Sequence, residues 1–210
     1  VAPGLELHVS TQASTTNWHT VQMWKELGAT RVVAAREVSL ADLKEMKDHV
    51  DIEIESFVHG SMCISYSGRC LLSNYMTGNR DANRGQCSQS CRWKYSLVES
   101  NRPGEYYPIE EDEHGTYIFN SKDLCLIHRI PDLYEAGIDS LKIEGRMKSV
   151  HYCATVAKVY RTAIDTYLKE GKDWYVRPEW IAELEKISHR PYTDGFAEGR
   201  PDETAQNYGK

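Results

Sequence analysis

Five times along this sequence a short apolar or alternating run gives way to a helical pattern, and few architectures tolerate that order. Leu5-Glu-Leu-His-Val-Ser10 alternates, then Asn17 is placed to cap a helix carrying Val21, Trp24 and Leu27 that stops at Gly28. Arg31-Val-Val-Ala-Ala35 reads as a second strand, with Ser39 capping a helix whose Leu40, Leu43 and Met46 share a face. Ile52 to Val58 is a third strand, after which the pattern is interrupted. It resumes with a strand at Thr116-Tyr-Ile-Phe119 and a helix capped by Asn120 or Ser121 running through Leu124, Ile127, Ile130 and Leu133 to Gly137. A last strand, Ser140-Leu-Lys-Ile143, precedes a long amphipathic helix from about Val150 to Leu168. Strand–helix units in succession imply parallel strands joined by helical crossovers, hence an α/β fold.

No Gly-x-Gly-x-x-Gly follows any strand, so the dinucleotide-binding open sheet loses its main support. Polar residues collect instead just after the strands: Ser10, Gln12 and Asn17; Arg36 and Glu37; His59; Asn120, Lys122 and Asp123; Glu144 and Arg146. That is the layout of a (βα)8 TIM-type barrel, whose site is built from loops at the carboxyl ends of its strands. Five units cannot close eight strands. The expectation is therefore the C-terminal portion of a barrel over residues 1–172, completed by a homodimer or a partner chain. Residues 173–210, with weaker periodicity, read as a linker or the start of a C-terminal extension.

The interruption is a cysteine-rich connection over residues 59–115. Cys63, Cys70, Cys87 and Cys91 fall within it, while Cys125 and Cys153 lie downstream. Thiolates converging in such density suit zinc or an iron–sulfur cluster, and sequence spacing does not separate the two. Cys153, beside Ala154 and Val156 in the long helix, reads as a packed thiol. The opening Val1-Ala-Pro-Gly4 lacks the basic-then-apolar order of a signal peptide, and no apolar run is long enough to span a bilayer. A cytoplasmic setting follows as the expectation, with cysteines as ligands rather than disulfides and no membrane partner. The net charge of −6 gives no global attraction to nucleic acid, so RNA contact requires a local patch. Arg80, Arg84, Arg92 and Lys94 beside Tyr75, Trp93 and Tyr95 supply one, since cations and aromatic faces grip phosphates and unpaired bases. Glu110-Glu-Asp-Glu113 would repel RNA and reads as a solvated turn.

The segment Glu55-Ser-Phe-Val-His-Gly-Ser-Met-Cys-Ile-Ser-Tyr-Ser-Gly-Arg-Cys70, with Ser121-Lys-Asp-Leu124 and Ser140-Leu-Lys-Ile-Glu-Gly-Arg146, resembles the U32 peptidase or collagenase-like protease family. Within it the chain looks like the branch that hydroxylates tRNA. The resemblance implies formation of 5-hydroxyuridine at the wobble position with prephenate as donor, and a 4Fe-4S cluster on four cysteines, with zinc as the alternative. It assigns Cys63, Cys70 and Cys87 as ligands. For the fourth, Cys125 follows the spacing of ubiquinone-pathway relatives and is preferred, with Cys91, closer to the RNA-modifying ones, as the alternative.

The family name raises two other readings, a U32-type peptidase and a zinc-stapled binding or scaffold domain. No His-Glu-x-x-His is present, and no serine or cysteine stands at a spacing that supports a triad. Candidate catalytic groups are His59, ending its strand, Glu55 four residues earlier on the same strand face and able to orient the imidazole, and Glu144. Candidate substrate-binding groups are Arg36, Lys142 and Arg146, for the two carboxylates of a prephenate-like donor, and Arg80 and Arg84 for RNA phosphates.

Overall fold

A computed structural model describes residues 4–63, 65–93, 95–97, 107–108 and 122–199. Strand β1 (His8–Val9) leads to helix α1 (Trp18–Glu26), β2 (Arg31–Val33) to α2 (Leu40–His49), and β3 (Glu53–Ser61) to the cysteine-rich connection. That connection holds helix α3 (Leu72–Thr77) and a small antiparallel pair, β4 (Ser96–Leu97) with β5 (Tyr107–Pro108). Then come β6 (Asp123–Cys125), α4 (Ile130–Glu135), β7 (Ser140–Glu144), α5 (Val150–Glu170), α6 (Pro178–Glu185) and β8 (Tyr192–Thr193).

The helices begin where side chains satisfy their first free N–H groups. Asn17 Oδ1 accepts from Thr20 N at 3.0 Å, Ser39 and Asp42 form a reciprocal capping box, and Ser149 Oγ accepts from Tyr152 N at 3.1 Å. On α5 the buried residues Tyr152, Val156, Val159, Tyr160 and Ala163 recur at helical spacing and face the sheet.

Strands β1, β2, β3 and β7 are parallel and lie in that order. A strand has two edges. Residues 53–55 of β3 pair with β2 and residues 55–60 pair with β7, so these neighbours take opposite edges. The order never reverses, and right-handed crossovers then put every helix on one face. Accordingly α1, α2, α4, α5 and α6 pack successively against one another as a single layer. Val32, Ile54 and Val58 from the strands meet Val21, Met46, Leu133 and Val156 from the helices in one core.

Three expectations need correction. Residues 123–125 are a strand, not the first turn of a helix, and α4 begins only at Ile130. The run Asp123-Leu-Cys125 is buried at every position, which suits a strand covered on both faces. Nor is the sheet wholly parallel, because β6 runs antiparallel to the end of β3, pairing Cys125 with His59, and β8 extends it. Finally, residues 173–199 are no linker. Pro178 starts α6 at its first turn, and Trp180, Leu184, Ile187 and Ala197 enter the common core. The expected strand at 116–119, its cap at 120 or 121, the acidic run 110–113 and Lys94 lie outside the described residues.

Among the described residues no helix is long and apolar enough to cross a membrane.

Candidate active site

The carboxyl ends of the four parallel strands open on one cavity of about 180 Å³. Ser10 reaches it from β1, Arg36 from the end of β2, Phe57 and Ser61 from β3, Lys142 and Glu144 from β7. The cysteine-rich connection is folded down as its roof. Ser67 holds one end: its N–H and hydroxyl both donate to the Glu37 carboxylate, at 3.0 and 2.9 Å, while its oxygen accepts from Arg36 N at 3.2 Å. Gly68, at φ +72°, lies so close to the Gln12 carbonyl that any Cβ would overlap it. Glycine at 68 is therefore what lets the roof touch the end of β1. Gly60, at φ +109°, allows the same close approach between β3 and Glu144 of β7.

Cys63, Cys70, Cys87 and Cys91 all line this cavity, each half-buried and none in a disulfide. Burial pushes the Cys63 thiol up, Arg36 opposes the shift, and the neighbouring Cys70 and Cys87 add to it. Cys91 is pushed up to about 11 by burial, against the pull of Arg92, with the other three thiols contributing.

Two arginines set the roof's shape. Arg80 donates to the carbonyls of Gln86 and Cys87, at 3.1 and 3.3 Å, so it holds Cys87 in place. Arg92 does more. Its Nη1 pairs with the fully buried Asp123 at 2.6 Å and its Nη2 donates to the Met62 carbonyl at 3.2 Å. One guanidinium thus ties the backbone beside Cys63 to the turn Ser90–Arg92 that carries Cys91. Asp123 also accepts from Arg190 N at 3.2 Å and faces Lys148 at 3.6 Å.

Cys125 stands elsewhere. It is buried on β6, with its sulfur 3.9 Å from the Tyr160 hydroxyl, and it does not line the cavity. The structure thus brings together Cys63, Cys70, Cys87 and Cys91, and leaves out the preferred fourth residue. Sequence spacing missed this because Cys125 pairs across the strand from His59, and the side chains opposite each other there face α5. Cys153 is half-buried, its thiol 3.7 Å from the Gly145 carbonyl.

His59 and Glu55 do not form a pair. A register shift between Phe57 and His59 interrupts the strand alternation, as a bulge does. His59 is fully buried among Tyr152, Tyr160 and Tyr192, with Nδ1 3.4 Å from the Tyr160 hydroxyl and Nε2 without a partner among the described residues. Burial pushes its pKa down to about 4, so the ring is neutral. Glu55 is taken up by Lys142 at 2.6 Å and Ser140 at 2.9 Å; burial works to raise its pKa, and these bonds outweigh it and hold it below the usual range.

Arg36 lies at the centre of the cavity wall, its guanidinium 3.9 Å from the Phe57 ring centroid and 3.3 Å from Glu144. Arg146 also lines the cavity, near Gly85, and its guanidinium has no ion-pair partner among the described residues. Lys142 reaches the wall but is committed to Glu55. Arg84 points outward, 81% exposed, with Asp81 at 3.8 Å. Of the groups that shape the site, Ser67 and the Arg92–Asp123 pair were not recognised as such from the sequence. Their roles come from contacts made 30 or more residues away.

Residues 1–207 match the profile of peptidase family U32. The chain belongs to that family. The U32 chain is 51% identical over 210 residues to tRNA hydroxylation protein P1 of Bacillus subtilis (strain 168), covering 100% of this chain and 49% of the relative. It is 41% identical over 246 residues to tRNA hydroxylation protein P of Escherichia coli (strain K12), covering 98% and 53%. A 34% match over 204 residues, covering 94% and 30%, is to 23S rRNA 5-hydroxycytidine C2501 synthase of the same organism. The U32 chain therefore spans about half the length of these two tRNA hydroxylation relatives. No solved structure matches it.

Proposed function

We propose that this chain carries the active site of an RNA hydroxylation protein that acts on a pyrimidine of tRNA, forming 5-hydroxyuridine at the wobble position. The observation that carries this reading is the junction, in one cavity at the carboxyl ends of parallel strands, of four thiols with the guanidinium groups of Arg36, Arg92 and Arg146. The names of the relatives, two for tRNA hydroxylation and one for a 5-hydroxycytidine in rRNA, supply the substrate class.

A 4Fe-4S cluster on Cys63, Cys70, Cys87 and Cys91 fits the donor set. Four thiols border one cavity, a donor set that suits such a cluster and, as the alternative, zinc. When bound, such a cluster supplies electron transfer at the cavity wall. The protein's own part is to bind and orient. Arg146 offers a planar fork to a carboxylate of a prephenate-class donor, while Lys142 is held back by Glu55 and Arg36 Nη2 by Glu144. Arg84, Tyr75 and Trp93, exposed on the roof, are the outward groups for RNA. No histidine among the described residues bonds a serine or cysteine, so nothing here favours the peptidase reading.

The unidirectional strand order and single helix layer support a portion of a (βα)8 barrel with a cysteine-rich insertion. Among the described residues strand β1 has one neighbour, and Leu5 beside it is 76% exposed, as expected where further strands from the rest of the protein, or from a partner, would join.

Anaerobic purification with iron and sulfide analysis tests the site. About four of each per chain, lost in Cys91→Ala and kept in Cys125→Ala, are expected. Stoichiometric zinc without sulfide would overturn the cluster, and tRNA with unchanged 5-hydroxyuridine in a deletion strain would overturn the function.

A further inference from the structure

Beside the cysteine cavity lies a second, larger one of about 800 Å³, and the two share the walls formed by Arg36, Met62, Cys63 and Tyr66. The geometry points to this outer cavity as the receptacle for the target base, a uracil swung out of the RNA stack, with Tyr66 as its stacking face and Arg36 as the donor that selects it. This rests on the RNA-hydroxylation reading and deepens it.

Size argues first. The inner cavity is too small for a nucleoside beside any donor molecule, whereas the outer one falls in the range of about 300–1,000 Å³ that ligand pockets occupy. Access argues second. The wobble base lies in a single-stranded loop, where bases are read after being splayed out of the stack, so an enzyme that reacts at C5 takes an unstacked base. Tyr66 is 68% exposed and its hydroxyl makes no hydrogen bond among the described residues, which leaves a ring face open to such a base. Arg69, on the same rim, is placed for the adjoining phosphate.

Arg36 supplies the orientation. Its Nη2 is held by Glu144 and its plane by Phe57, but Nη1 has no partner among the described residues. On uracil, O4 is bonded to the carbon next to C5. A hydrogen bond from Arg36 to O4 therefore turns C5 toward the wall that both cavities share with Cys63. Cytosine carries an amino group at that place, a donor that faces the guanidinium unfavourably. The site is thereby selective for uridine.

The test uses the full-length, cluster-loaded protein and an anticodon stem–loop RNA with 5-fluorouridine at the wobble position, followed by fluorine NMR and by binding titration. The expected result is a bound resonance displaced from that of the free loop. Tyr66→Ala should abolish the displacement and weaken binding roughly 5- to 150-fold, the span of one lost base–aromatic stack, while Tyr66→Phe leaves both near wild type. The 5-fluorocytidine loop should show no displacement. If the RNA binds but its fluorine resonance stays at the free position, or the displacement survives in Tyr66→Ala, the base pocket is overturned while RNA hydroxylation stands. Equal displacement for the two pyrimidines overturns selection by Arg36. Failure of the wild type to bind the RNA at all overturns both the pocket and the functional reading beneath it.

Discussion

Replacing Asp123 by Asn keeps the volume and removes one charge at the point where the roof is fastened to the sheet. In the native chain the fully buried carboxylate sits 2.6 Å from Arg92 and 3.6 Å from Lys148, both of which are largely withdrawn from water. The asparagine carbonyl can still accept from the Arg190 N–H, so one hydrogen bond survives. The two cations, however, would face each other with no anion between them. Breaking a buried ion pair from one side costs about 3–5 kcal/mol, chiefly through the charge left unpaired. Arg92→Met should cost less, because Asp123 keeps Lys148 and the Arg190 amide. Combining Arg92→Met with Asp123→Asn should recover part of the loss, a coupling of roughly 0.5–3 kcal/mol. Urea unfolding followed by circular dichroism measures these differences, and iron content measured on the same preparations reports whether Cys91 still reaches the cavity. A loss below about 1 kcal/mol in Asp123→Asn, with undiminished iron, would refute the clamp.

The remaining expectations concern the buried histidine and the C-terminal helix. His59 has its folded pKa lowered by burial from 6.5 to about 4, so its contribution is fully present above pH 6.5 and is lost as pH falls toward 4. At about 1.36 kcal/mol per pH unit the loss approaches roughly 3 kcal/mol, and unfolding measured across that window should show a His59→Gln variant with a flatter profile. Leu184 is fully buried on α6, so Leu184→Ala should cost about 2–5 kcal/mol. Because α6 shares the core, that loss should appear as a shift of one cooperative transition; a separate early transition would mean that residues 173–199 fold apart.

Local chemistry made much of the fold legible. Asn17, Ser39 and Ser149 announce helix starts because a cap needs only a side chain and the N–H groups two or three residues on. Alternating strand and helix periods told the parallel α/β class, since both periods come from backbone geometry within a few residues. The run Asp123-Leu-Cys125 reads equally as the first turn of a helix, because a short buried strand and a helical turn are not told apart by so few residues.

By itself the sequence determined the class of fold, the presence of a dense thiol group after the third strand, and the supply of cations beyond each strand end. Tertiary structure alone decided which of these meet. Four of the six cysteines share one cavity while Cys125 is turned beneath it; Glu55 and His59 part at a bulge; and Arg92 becomes a clamp because Asp123, 31 residues away, is buried against it. Such choices depend on contacts that span the chain, on a strand's two faces and on a glycine such as Gly68 that permits close approach. No local pattern carries that information, because each partner is selected by what the rest of the fold has already put beside it.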